Sequence, residues 1–110
     1  MAFYHFAFYV PESHLQEVKQ AIFDAGAGIQ GDYRHCAWQV QGQGQFEPLE
    51  GSQPFIGDQG RLEVVPEYKV EVYVAQQKIK AVLQAFFASH PYEEPAYYLI
   101  ESMDARDCLD

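Results

Sequence analysis

A chain of 110 residues has the length of one domain and buries roughly 65% of the surface its unfolded form would expose. With 48% hydrophobic and 15% aromatic residues, it lies far from the composition of disordered chains. Seven Lys and Arg against sixteen Asp and Glu leave a net charge of −9, which repels phosphate backbones and argues against nucleic acid as a partner.

The first segment, AFYHFAFYV, alternates with period two: Tyr4, Phe6, Phe8 and Val10 share one face of a strand, and Phe3, His5, Ala7 and Tyr9 the other. It is apolar but lacks the basic flank and cleavage site of a signal peptide, and Pro11 and Glu12 follow at once. A helix comes next, with Leu15, Val18, Ile22 and Ala25 at helical spacing, Pro11 and Glu12 in its first turn, and Gly26 and Gly28 at its end. The second strand is expected over HCAWQVQ, His35 to Gln41, with Cys36, Trp38 and Val40 on one side and Cys36 as a small core residue.

The stretch from Gly42 to Glu67 holds five glycines. It is not a nucleotide loop: Phe46, Pro48 and Pro54 follow Gly42 and Gly44 where a helix would have to start. The expectation is a long hairpin excursion whose Phe46, Leu49, Phe55 and Ile56 anchor it against a neighbouring subunit. A third strand, YKVEVYV, sets Tyr68, Val70, Val72 and Val74 against Lys69, Glu71 and Tyr73. The second helix carries Ile79, Val82, Leu83, Phe86 and Phe87 on one stripe, and AYYLIE, Ala96 to Glu101, forms the last strand.

Phe8 to Gly26 aligns without a gap on Val72 to His90, so the chain repeats a strand–helix unit. The order β-α-β-β-α-β is the ferredoxin-like α+β arrangement: a four-stranded antiparallel sheet with both helices on one face. Residues 1–103 read as a single domain and 104–110 as an acidic tail expected to fray. The face away from the helices presents Phe3, His5, Tyr9 and Tyr73, with Tyr98 from the choice among Tyr97, Tyr98 and Ile100. An apolar patch of that kind points to association with other copies of the chain.

Candidate ligands concentrate in HPYEEP. His90, Tyr92, Glu93 and Glu94 carry metal-binding and acid–base chemistry, and His35 is a further imidazole. The plainer reading places His90 at a helix C-terminus as a cation on the dipole, stopped by Pro91, with Glu93 and Glu94 held extended and facing apart. His5 reads as an interface residue or a buried neutral imidazole, and His14 as exposed. His35 and Cys36, neighbours on a strand, face apart and form no nucleophilic pair. Cys36 and Cys108 form no CxxC, so two free thiols in a reducing compartment, the cytoplasm, are expected. No cofactor motif, catalytic triad or membrane span of about 20 apolar residues occurs.

The run GxGxFxP at Gly42 to Pro48, PFIGxxGxLE at Pro54 to Glu63, Glu67, HPYEEPAY at His90 to Tyr97, and AGAG at Ala25 to Gly28 followed by Tyr33 and Cys36 resembles the Nif-three-like family. These are the YqfO-type, dinuclear-metal-centre hexameric proteins. The likeness covers Phe3 to about Ile100 and is to the domain that long members insert between their metal-binding lobes, itself similar to CutA and, more distantly, to PII proteins. The resemblance implies that the dinuclear metal belongs to the flanking lobes, so none of its ligands carries onto this chain. It also implies a standalone domain, a CutA-like trimer, though a dimer is equally simple, and no catalytic residue inherited from the cyclohydrolase reading of the long proteins. Three functions follow as expectations. The first is a non-catalytic, homo-oligomeric binding or regulatory module for a small molecule or protein; the second is CutA-like divalent metal binding, with His90, Glu93 or Glu94 and His35 meeting across subunits; the third is a hydrolase-type enzyme of unknown substrate.

Overall fold

A computed structural model describes residues 2–109. Four strands, β1 (Ala2–Pro11), β2 (Trp38–Phe46), β3 (Glu63–Ala75) and β4 (Tyr97–Met103), and two helices, α1 (Leu15–Asp24) and α2 (Ile79–Ser89), follow the expected order. The sheet runs β2-β3-β1-β4 with every pairing antiparallel. This is the ferredoxin-like arrangement read from the sequence.

Period-two alternation sets the core. Phe6, Phe8 and Val10 of β1 and Val70, Val72 and Val74 of β3 point to the helices and are buried with Val18, Ile22, Val82 and Phe86. Phe6, Phe8 and Phe86 form an aromatic centre with ring centroids 5.0–5.3 Å apart, close enough for edge-to-face attraction beyond area burial. Phe87, placed on the buried stripe of α2 by spacing, is instead half exposed.

Each helix enters through a 3-10 turn, Glu12–His14 before α1 and Gln76–Lys78 before α2. Pro11 thus ends β1 and precedes the turn rather than occupying the first turn of the α-helix. The end of α1 is a Schellman motif: Gly26 N–H donates to the Phe23 carbonyl and Ala27 N–H to that of Ile22, with Gly26 at φ +112°. Gly28, at φ +76°, then donates to Tyr73 O at 2.8 Å and accepts from Cys36 N at 2.9 Å. A Cβ there would stand 2.7 Å from the Cys36 carbonyl, so this stitch to β3 requires glycine.

The second strand differs from expectation. It starts at Trp38, not His35, and runs through the glycines to Phe46, pairing Gly42 with Glu67 and Gly44 with Val65. The excursion shrinks to residues 47–62. His35 lies outside any strand at φ +60°, stacked on Phe23 at 5.0 Å, and Cys36 is half-buried beside Gly28 rather than in the core. The third strand starts at Glu63, and Glu63–Pro66 pairs with β2 alone because β1 reaches no further than Glu67. Pro66, which has no N–H to donate, falls in this one-sided stretch. After β4, residues Ala105–Cys108 form a 3-10 turn capped by the Asp104 side chain where fraying was expected. No helix among the described residues is long and apolar enough to cross a membrane.

Candidate functional site

The face away from the helices is open. Trp38, Val40, Tyr98 and Ile100 are 57%, 44%, 37% and 50% exposed, and the registers of β2 and β4 set them on the side of Phe3, His5 and Tyr73. Phe3 and Tyr73 rings meet at 4.4 Å. His5 is half exposed, not buried, and its Nε2 lies 2.8 Å from Glu71 on the neighbouring strand. Lys69 rests over the Tyr98 ring at 5.3 Å. Trp38 and Val40, read from the sequence only as strand residues, join the face expected from Phe3, His5, Tyr9, Tyr73 and Tyr98 because β2 continues its alternation in register with β3.

At one end of this face the excursion folds back to meet the HPYEEP loop, leaving a cleft of about 400 Å³. Its walls include Tyr9, Phe46, Phe55 and Tyr92, with the carboxylates Glu47, Glu67, Glu93 and Glu94. The excursion holds itself through Gly60 N–H to Pro48 O at 2.7 Å and Gln59 Nε2 to Ser52 O at 2.9 Å, and it reaches the loop through Gln53 N–H to Glu93 Oε1 at 2.6 Å. Phe55 sits 6.3 Å from the Tyr92 ring and 5.1 Å from that of His14, while Phe46 lies 5.9 Å from Tyr92. Phe46 and Phe55 thus touch rings of their own chain, Phe55 remains half exposed, Ile56 lines the cleft, and Leu49 stays exposed at its edge.

His90 fixes the loop from below. It is 7% exposed; its Nε2 donates to the Tyr9 carbonyl at 2.7 Å and its Nδ1 accepts from Tyr92 N–H at 3.1 Å. Both bonds are made at once only by the neutral Nε2–H tautomer. Burial, with the His14 charge, holds its pKa below the ordinary histidine value against the Tyr9 carbonyl. The cationic cap read from the sequence is therefore replaced by a neutral brace. The loop bends through Pro91 to Glu94 instead of running extended, so Glu93 and Glu94 both reach the cleft instead of facing apart.

Tyr92 ends in the cleft wall with a buried hydroxyl that has no hydrogen-bond partner among the described residues. Burial, then the nearby Glu67 carboxylate, pushes its pKa far up, so the phenol keeps its proton. Glu67 lies across the backbone of Gly44, where any Cβ would collide with its carboxylate. Glu67 appeared in the sequence only as a motif position. Period two along β3 puts it on the open face, and Gly44 of β2 clears room for it.

Within one chain, His90, Tyr92, Glu93 and Glu94 come together, whereas His35 does not join them. It stacks on Phe23 in the segment stitched to Tyr73, and Tyr73 pairs with His5, four residues and roughly 13 Å of strand from Tyr9. Both His90 nitrogens are engaged, and no group of three or more His, Cys, Asp or Glu side chains among the described residues could hold a metal ion.

No protein-family model matches the chain. It is 51% identical over 89 residues to a GTP cyclohydrolase 1 type 2 homolog of Mycobacterium leprae, covering 81% of this chain and 23% of that protein. It is 46% identical over 105 residues to the protein of the same name from Bacillus subtilis, covering 94% of this chain and 28% of the relative. Among solved structures, a Bacillus cereus protein related to NIF3 superposes with TM-score 0.79 at 35% identity, covering 94% of this chain and 26% of that one. The periplasmic divalent cation tolerance protein CutA of Archaeoglobus fulgidus shares the fold, with TM-score 0.63 at 15% identity over 94% of this chain and 86% of its own. The chain spans about a quarter of the length of the curated relatives it matches, and it is a homologue of the NIF3/YqfO-family proteins through one segment with the CutA-like, ferredoxin-like fold.

Proposed function

We propose that the chain is a non-catalytic binding module that associates with copies of itself through the open sheet face and offers the cleft beside the HPYEEP loop to a ligand. The observation that carries this reading is the contrast across one sheet: the helix side is sealed, while Trp38, Val40, Tyr98 and Ile100 stand exposed together on the other. Leaving such a patch in water forfeits about 25 cal/mol for each Å² of apolar surface that association would cover. The Phe3–Tyr73 ring contact and the His5–Glu71 pair add a central contact and a polar pair of the sort found within and around interface cores. The fold shared with CutA supports the reading.

Light scattering on the purified chain tests it. The wild type is expected at a multiple of its 12.6 kDa mass, and the Val40→Asp/Ile100→Asp double variant at the mass of a single chain. A wild type that elutes and scatters as one chain across the micromolar range ends the association claim. A double variant that keeps the wild-type mass moves the interface elsewhere.

A further inference from the structure

We infer that the cleft between the excursion and the HPYEEP loop receives a small organic cation, an ammonium or guanidinium group carried on an apolar body. The inference rests on the cleft being the ligand site of the module just proposed. Four carboxylates line the cleft, and none of its lining residues is Lys, Arg or His. In a chain of net charge −9, that wall repels anions and concentrates cations. Tyr9, Phe46, Phe55 and Tyr92 supply ring faces and edges, and an alkylammonium or guanidinium near such rings gains roughly 0.5–2 kcal/mol by cation–π attraction.

The polar atoms argue the same way. The Tyr92 hydroxyl is buried and stays a neutral phenol beside Glu67, so the carboxylates are the charged groups of this wall. Glu67, held flat over Gly44, adds a charged acceptor beside it. A neutral apolar occupant would leave the Glu67 carboxylate without a counter-charge in a drier site, a cost of at least about 1–3 kcal/mol. A bare metal ion lacks the three ligating side chains it needs. An N–H-bearing cation answers the carboxylates and the rings together. A cleft of about 400 Å³ falls at the small end of the roughly 300–1,000 Å³ range of small-molecule pockets, which suits a compact amine.

Titration of the intact chain with four probes of similar size, followed by calorimetry and amide chemical shifts, tests the assignment. The probes are 2-phenylethylamine, agmatine, neutral 2-phenylethanol and anionic 3-phenylpropionate. The expected result is that at least one of the two amines binds ten-fold or more tighter than the alcohol and the acid, with shifts centred on Phe46, Phe55 and Tyr92. Glu67→Gln is expected to weaken that amine at least ten-fold. Phe55→Ala, a change on the exposed excursion that leaves the sheet intact, is expected to weaken it several-fold. Equal or tighter binding of 3-phenylpropionate or 2-phenylethanol overturns the cation assignment while leaving the cleft a ligand site. Absence of binding by all four probes at millimolar concentration overturns it as well, and the light-scattering result stands or falls separately.

Discussion

The two sides of the sheet are made by the same strands, yet they are built for different ends. Toward the helices, Phe6, Phe8, Val70, Val72 and Val74 are at most 3% exposed and lock against Phe86 and Ile22. On the far side, Trp38, Val40, Tyr98 and Ile100 remain open, interleaved with His5–Glu71 and Lys69. One side spends its apolar residues on folding; the other keeps them available for contact. A single period-two pattern therefore encodes both stability and recognition, and the helices decide which residues serve which.

The sharpest way to break this contrast is Phe86→Ala, which empties the aromatic centre on the sealed side and is expected to cost about 3–5 kcal/mol in denaturant unfolding. A loss under 1 kcal/mol would mean that the centre is not the core described here. His90→Gln, at the junction of the sealed side and the cleft, is expected to cost about 1–3 kcal/mol, since the Tyr9 carbonyl and Tyr92 N–H each lose a fitted partner. Its pH signature sharpens the test. Because the folded-state pKa of His90 lies below 6.5, the unfolded chain binds the extra proton, so this contribution is whole above pH 6.5 and is lost as pH falls toward the folded value. Wild-type stability should drop more steeply than that of His90→Gln between about pH 7 and pH 5; parallel profiles would remove His90 from that role. The smallest effect is expected from Ile100→Ala on the open side, within about 0.5 kcal/mol at concentrations where the chain is monomeric. Its wild-type counterpart should unfold at midpoints that rise with protein concentration, as linkage to association requires.

The element order and the buried faces of β1, β3, α1 and α2 were legible because apolar residues themselves carry the periods of 2.0 and 3.6 there. β2 hid its extent. In WQVQGQGQF the alternation passes from Trp38 and Val40 to Gly42 and Gly44, and glycine reads as a turn although here Gly44 makes space for Glu67. The site was legible as composition, since His90, Tyr92, Glu93 and Glu94 do gather, but their roles were not. Whether an imidazole is a cation or a neutral brace depends on burial against Tyr9, a residue 81 positions away, and no local pattern reports that. Glu67 shows the same limit, since its partners Gly44 and Tyr92 lie on different elements.

Glu63–Pro66 and their mates in β2 continue past the end of β1 as a bare two-stranded ribbon, in a molecule extending 55 Å along its long axis and about 25 Å across. A pair of strands without a third is barely self-supporting in water, so this ribbon and the 47–62 segment at its tip lean on the HPYEEP loop through the Gln53–Glu93 hydrogen bond and the Phe46 and Phe55 ring contacts with Tyr92. Its amides are expected to exchange with solvent at lower opening cost than those of Val70 or Phe6. Whatever fills the space beneath the ribbon would prop it, and occupancy would be written into the molecule first as stiffness.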